Sequence, residues 1–137
     1  VAAAIAWLVK NVAKYGGDPR KIVLMGHSAG SHLAALVATD DRYLAAHGLH
    51  RNQLAGVISL DGSAFDIPDR IKNGAATIAE NCRRAFGESL QQQVDGSPIQ
   101  HVKGEVFPWM SSSPMARSAN FIQTPAFVGT ALVGRIA

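Results

Sequence analysis

The sequence predicts an α/β fold in which the strands of a parallel sheet are flanked by helices. Two apolar runs, over residues 21–26 and 54–60, have the composition of buried strands. A segment of helical composition precedes the first run, and another, over residues 28–39, follows it. This alternation of helix and strand is typical of a parallel sheet whose connections are helical.

The first predicted element is an amphipathic helix over residues 1–15. Its apolar side chains recur at the i, i+3, i+4 and i+7 positions of one helix face: Ile5, Leu8, Val9 and Val12. Gly16 and Gly17 predict the end of this helix, and Asp18-Pro19 predicts a turn before the first strand.

The junction between strand 21–26 and helix 28–39 carries the pattern G-x-S-x-G, formed by Gly26, Ser28 and Gly30. A turn this tight strains the serine backbone, and side chains two residues before and after the serine are expected to collide. Gly26 and Gly30 remove those side chains. The Ser28 hydroxyl is then the candidate nucleophile, and the backbone N–H of Ala29 is a candidate oxyanion donor at the N-terminus of a helix.

The residues around this turn resemble the α/β-hydrolase superfamily, in particular carboxylesterases and hormone-sensitive-lipase-like esterases. The similar segments read YGGDPR from Tyr15, KIVLMGHSAG from Lys21, HLA from His32 and GVISLDG from Gly56. The later FDIP from Phe65 is similar to kynurenine-formamidase-like members.

The resemblance covers about residues 1–100 and is strongest at the turn. It implies hydrolysis of a small-molecule ester or amide, with esters favoured, through an acyl-enzyme on Ser28. It implies no metal and no cofactor. We expect residues 1–102 to be the central part of an α/β-hydrolase domain and residues 103–137 to be a divergent C-terminal segment of it.

The chain after helix 28–39 contains further predicted elements. We expect a loop over 40–49 with a short helix possible at 43–46, a loop over 66–70, a helix over 71–86, a polar segment over 87–96 and the next strand within 121–137. The residues of helix 71–86 that could share one face are Ile71, Ala75, Ile78, Cys82 and Ala85.

A serine nucleophile needs a base, and the base needs an orienting acid. In this fold the order along the chain is serine, acid, histidine. The possible acids after Ser28 are Asp61, Asp66, Asp69 and Asp95, and His101 is the base that follows them. Asp61 ends a strand on the expected active-site side. By the resemblance, however, Asp61 is not the usual acid, and His101 comes earlier than the usual base.

The second oxyanion donor of the family comes from a His-Gly-Gly loop upstream of the first helix, and this chain carries no such motif. Gly16-Gly17 lies on the wrong side of that helix. We therefore expect the chain alone to be a very weak catalyst or none. The alternatives are a truncated or frameshifted inactive remnant, a ligand-binding or partner-binding domain, and a flavodoxin-like domain with a chance G-x-S-x-G.

The composition of the chain limits the other classes of protein to which it could belong. The 137 residues suffice for one domain, and the net charge of +3 comes from dispersed cations rather than a nucleic-acid-binding stripe. No apolar run approaches the ~20 residues of a membrane span. The single Cys82 excludes an intrachain disulfide and predicts a buried thiol. His47 and His50 predict a surface turn rather than a metal site.

The chain begins at Val1 in full helical pattern, so it is expected to start within a domain, and no targeting segment is visible. The cytoplasm is the default expectation for its compartment. The sequence leaves the oligomeric state and the acyl and alcohol preferences open.

Overall fold

The computed structural model of the chain describes residues 1–103 and 109–111. Its centre is a three-stranded parallel sheet in the order β1-β2-β3. The strands are β1 Ile22–His27, β2 Leu54–Leu60 and β3 Trp109–Ser111. The predicted parallel sheet is confirmed, and both strand predictions lie within one residue of the observed bounds.

Six helices lie within the described residues. Their bounds are α1 Ala2–Asn11, α2 Ala29–Thr39, α3 Asp41–Ala45, α4 Ile67–Asn73, α5 Ala76–Phe86 and α6 Leu90–Asp95. Short 3-10 turns occur at Val12–Tyr15, Arg51–Gln53 and Pro98–His101. The short helix expected near 43–46 is α3, which begins two residues earlier because the Asp40 side chain accepts the backbone N–H of Arg42.

The helices between residues 66 and 96 differ in their bounds from the predicted elements. Residues 66–70 are not a loop, because Asp66 accepts the backbone N–H of Asp69 and so begins α4, with Pro68 in the first turn. The helix expected over 71–86 is divided at Gly74, where a Cβ would overlap the carbonyl oxygen of Arg70. The polar segment 87–96 contains α6, which begins after Ser89.

The next strand also comes earlier than expected. β3 pairs with β2 through Val57, Ile58 and Ser59, well before the predicted region 121–137. That region lies outside the described residues, as does most of the segment 103–137.

The hydrophobic core lies between the sheet and its helices. One cluster joins Ile5 of α1, Ala35 and Ala38 of α2, and Leu54 and Val57 of β2. Leu24 of β1 packs against this cluster. Because burial of α2 against β1 and β2 holds the start of α2 close to the strand ends, the core fixes the turn that carries Ser28.

The opposite face of β1 is exposed. Side chains alternate along a strand, and Val23 and Met25 are 49% and 68% exposed, whereas Ile22 is buried. Within the part of the chain that the structure describes, no helix covers these two side chains.

This uncovered face predicts self-association. Apolar sheet surface that remains exposed favours contact with another copy of the chain. Met25→Lys is expected to lower self-association and to leave the free energy of unfolding within about 0.5 kcal/mol, because the side chain is exposed. Sedimentation velocity at several concentrations measures this, and a wild-type chain that stays monomeric throughout would contradict it.

Candidate functional site

Ser28 occupies the turn between β1 and α2 with a backbone conformation that few non-glycine residues adopt. Its φ is 54° and its ψ is −116°. Such a conformation costs on the order of 1–3 kcal/mol and persists only where neighbouring contacts hold it. Here the Ser28 N–H donates to the Leu60 carbonyl at 2.9 Å, and the Ser28 carbonyl accepts from Ser31 and His32 at 3.0 and 3.3 Å.

The two glycines of the motif have different roles in the structure. A Cβ on Gly26 would overlap the carbonyl group of Gly30 and lie 2.6 Å from the backbone nitrogen of Ser31. A Cβ on Gly30 would meet no atom within 4 Å. The collision expected at Gly30 is therefore not found. Gly26 is the residue that must lack a side chain, because the start of α2 crosses directly over it.

A buried hydrogen bond joins the start of α2 to the end of β2. The hydroxyls of Ser31 and Ser59 lie 2.5 Å apart, and both residues are fully buried. A side chain on the nearby Gly62 would overlap the Ser31 hydroxyl. The Ser31–Ser59 hydrogen bond fixes the position of α2 relative to the sheet, one turn after Ser28.

Ser28 opens into a partly enclosed cavity of about 300 Å³. Its floor is the start of α2, with Ala29, His32 and Leu33. The loop after β2 contributes Ser63 and Ala64. The opposite wall is one face of α5, formed by Ile78, Asn81, Cys82, Ala85 and Phe86. The nucleophile candidate thus faces a small, mainly apolar space.

The sequence predicts part of this wall as one face of a helix. It does not predict that this face lines a functional site. Ile78, Cys82 and Ala85 were expected to share a face, and all three line the cavity. Ala75 is exposed and does not line it, because it precedes α5. The signal that could have identified the wall is Asn81, an amide within an otherwise apolar stripe. The predicted buried thiol is confirmed, since Cys82 is 5% exposed and burial raises its pKa.

His32 is a buried imidazole at the base of the cavity. Its Nε2 lies 2.8 Å from the Gly96 carbonyl oxygen, and its ring contacts the edge of Phe86. Burial lowers the pKa of His32, and the hydrogen bond to Gly96 opposes this only in part. The imidazole is therefore neutral near pH 7, with its Nε2–H donating to Gly96, as expected for a structural histidine.

This burial makes stability depend on pH. A histidine whose pKa is lower in the folded state binds its proton more readily when unfolded, so stability falls as pH falls below about 6.5. His32→Gln keeps a donor for Gly96 but cannot titrate. We expect its urea midpoint to change less between pH 7.5 and 5.0 than that of the wild type. Equal slopes for the two proteins would contradict the assignment.

Asp61 and His101 each contact other residues in the structure. The Asp61 carboxylate lies 3.9 Å from the Nε2 of His27, and both side chains are largely exposed at the ends of β2 and β1. The Nε2 of His101 lies 2.8 Å from the Asp95 carbonyl oxygen and 3.8 Å from the Asp40 carboxylate. The Asp61–His101 pair stays a prediction, and His101 lies in a cluster with Asp95 and Asp40.

That cluster joins helices α3 and α6 and has a structural role. Arg42 donates to Asp40 at 2.6 Å and to Asp95 at 2.7 Å. Asp40 is 4% exposed. Burial alone would raise the pKa of Asp40, but the hydrogen bonds from Arg42 outweigh it and lower that pKa. The Nε2 of His101 lies 3.8 Å from the Asp40 carboxylate at the side of this network.

Across residues 1–103 and 109–111, no set of three or more histidine, cysteine or acidic side chains is arranged to hold a metal ion. No helix in the same part of the chain has the length and apolar content needed to cross a membrane.

A parallel sheet and a strained serine between strand and helix define the class of protein. The chain has part of an α/β-hydrolase fold and resembles the esterases of that superfamily. The profile of the BD-FAE family matches residues 1–58, which contain β1, the turn and α2.

Three of the relatives are named as esterases. Esterase LipC of Mycobacterium tuberculosis is 50% identical over 98% of this chain and 37% of its own length. Esterase P of Drosophila melanogaster is 41% identical over 61% of the chain and 14% of its own length. Esterase LipQ of M. tuberculosis is 60% identical over 28% of the chain and 9% of its own length.

The chain thus spans between 9% and 37% of the length of these three relatives. Comparison with solved structures finds no match. The expected resemblance to esterases is confirmed by the named relatives.

Proposed function

We propose that Ser28 is the nucleophile of a carboxylic-ester hydrolase that works through an acyl-serine intermediate. The observation that carries the proposal is the Ser28 backbone, held at φ 54° and ψ −116° beside an apolar cavity. Strain of this kind places the hydroxyl above the sheet edge, where it can approach a substrate carbonyl. The names of the relatives support esters as the substrate class.

In the first step the Ser28 Oγ attacks the ester carbonyl carbon, and a new C–O bond forms. The carbonyl oxygen becomes an oxyanion that accepts the Ala29 N–H, with the N-terminus of α2 adding positive potential. The intermediate then collapses, the bond to the alcohol oxygen breaks, and the alcohol leaves with the proton of Ser28. Water releases the acid from the acyl-serine in the second step.

The proton of Ser28 needs an acceptor. Two of the described imidazoles already form hydrogen bonds to other groups. His32 donates to Gly96, and His101 donates to Asp95 and lies beside Asp40. We therefore assign neither His32 nor His101 as the base. The same observation favours a second candidate function, in which the chain binds an ester-sized ligand without turning it over.

Hydrolysis of p-nitrophenyl acetate by the wild-type chain and by Ser28→Ala distinguishes the two functions. The first predicts release of p-nitrophenol that disappears in Ser28→Ala. The matched control is Ser63→Ala, which removes a hydroxyl from the same cavity and should retain most of the rate. Equal rates for the wild type and Ser28→Ala would contradict nucleophilic catalysis and favour the binding function.

A further inference from the structure

The cavity beside Ser28 is lined entirely by uncharged side chains within the described residues. Its two titratable lining groups besides the serine are both held neutral by burial, which lowers the pKa of His32 and raises that of Cys82. A charged ligand group placed here would lose its hydration without gaining an ionic partner. The cavity therefore disfavours carboxylates and ammonium groups.

The α5 wall gives the cavity its chemical character. Ile78, Asn81, Cys82 and Ala85 are spaced i, i+3, i+4 and i+7, so they form one continuous stripe of the helix. The stripe is apolar except for the Asn81 amide, which can donate a hydrogen bond to an ester oxygen or accept one from an N–H or O–H group.

The size of the cavity limits what it can hold. Cavities of about 150 Å³ lined by apolar side chains accept benzene. A cavity of about 300 Å³ therefore has room for a group about twice that size. Ala85 lines the cavity and is exposed to solvent, so it lies at the open side, where a larger side chain would close the entrance.

We propose that the cavity between α2 and α5 binds the uncharged, short apolar arm of a small ester, and that Ile78 and Ala85 set the size of that arm. The inference rests on the proposed function, because it names the substrate class of the same site. The proposal extends that function by assigning substrate selection to α5. This helix lies outside the G-x-S-x-G motif in the sequence.

Amide chemical-shift mapping tests this inference without relying on turnover. The full chain carrying Ser28→Ala is titrated with butyl acetate, with butyrate and with butylammonium. Butyl acetate is expected to shift the amides of Ile78, Asn81, Cys82 and Ala85, and the two charged ligands are expected to leave them unchanged. Equal shifts from butyrate, or butyl acetate shifts confined to other elements, would overturn the proposal.

Two further variants locate the binding at the α5 wall. Ala85→Trp should abolish the butyl acetate shifts, because the tryptophan ring fills the entrance of the cavity. The chain should tolerate this substitution because position 85 is exposed. Thr77→Trp is the matched control, since Thr77 is exposed on α5 and does not line the cavity. Binding retained in Ala85→Trp, or lost equally in Thr77→Trp, would contradict the assignment.

The failures of the two proposals are distinguishable. If the wild-type chain does not hydrolyse p-nitrophenyl acetate but the α5 amides shift with butyl acetate, the binding assignment stands and nucleophilic catalysis does not. If the chain hydrolyses the ester and the α5 amides do not shift, Ser28 is active and the assignment of α5 is wrong.

Discussion

Gly26→Ala is expected to lower the free energy of unfolding by about 3 kcal/mol and to abolish activity at Ser28. The new Cβ would overlap the carbonyl group of Gly30 and lie 2.6 Å from the nitrogen of Ser31. These are backbone atoms at the start of α2, so no side-chain rotation relieves the overlap. Overpacking a fixed site costs on the order of 1–3 kcal/mol, and moving α2 also disturbs the buried Ser31–Ser59 hydrogen bond.

Gly30→Ala is the matched control, because it makes the same chemical change on the other side of Ser28. A Cβ there meets no atom within 4 Å, and alanine is a better helix former than glycine by about 1 kcal/mol. Its free energy of unfolding should equal or exceed that of the wild type. Urea denaturation measures both variants, and an equal loss in the two would contradict the steric account of the turn.

Replacing Ser28 itself separates its chemical role from its backbone strain. Ser28→Ala and Ser28→Gly both remove the hydroxyl, so each should lose all turnover that depends on an acyl-serine, an effect on the order of 10⁶ in well-developed serine hydrolases. Only glycine adopts φ 54° and ψ −116° without steric cost. Ser28→Gly should therefore be more stable than Ser28→Ala by about 1 kcal/mol.

Thermal and urea denaturation of the two variants, side by side, provide the comparison. Greater stability of the glycine variant means that the wild-type turn stores strain for function. If the alanine variant is the more stable, the serine backbone is relaxed, and the turn does not act as a strained nucleophile elbow.

The turn at Ser28 could be predicted from sequence because its signals are local. A buried strand, two glycines around a serine and a following helix lie within consecutive residues, so no distant contact decides the outcome. The exception is Gly30. Its expected collision assumed a symmetric turn, whereas the start of α2 passes over Gly26 alone.

The pairing of an acid with a base depends on distant contacts, which the sequence alone does not determine. Asp61 and His101 follow Ser28 in the right order, but order along the chain does not determine which side chains meet. The buried Asp40 and the exposed Arg42 and Asp95 form a charge cluster that His101 joins. Nothing in the local sequence around His101 indicates that Asp40, sixty-one positions earlier, lies 3.8 Å from it.

The cavity wall was also beyond local prediction. The apolar face of α5 was recognised by its spacing, but which element it faces is a tertiary contact. Asp66 caps the start of α4, and the break at Gly74 separates α4 from α5. Both signals lie in the sequence. Because the helical pattern there is weak, it predicts a loop over 66–70 and one continuous helix over 71–86 instead.

The most direct test of the account is the intact mass of the chain after reaction with a fluorophosphonate, followed by peptide mapping. Attack by the Ser28 Oγ forms a P–O bond and releases fluoride, so the account predicts one adduct on the peptide that contains Ser28. The adduct should be absent in Ser28→Ala and retained in Ser63→Ala. An unmodified wild-type chain, or an adduct on another residue, would contradict the assignment of Ser28 as the nucleophile.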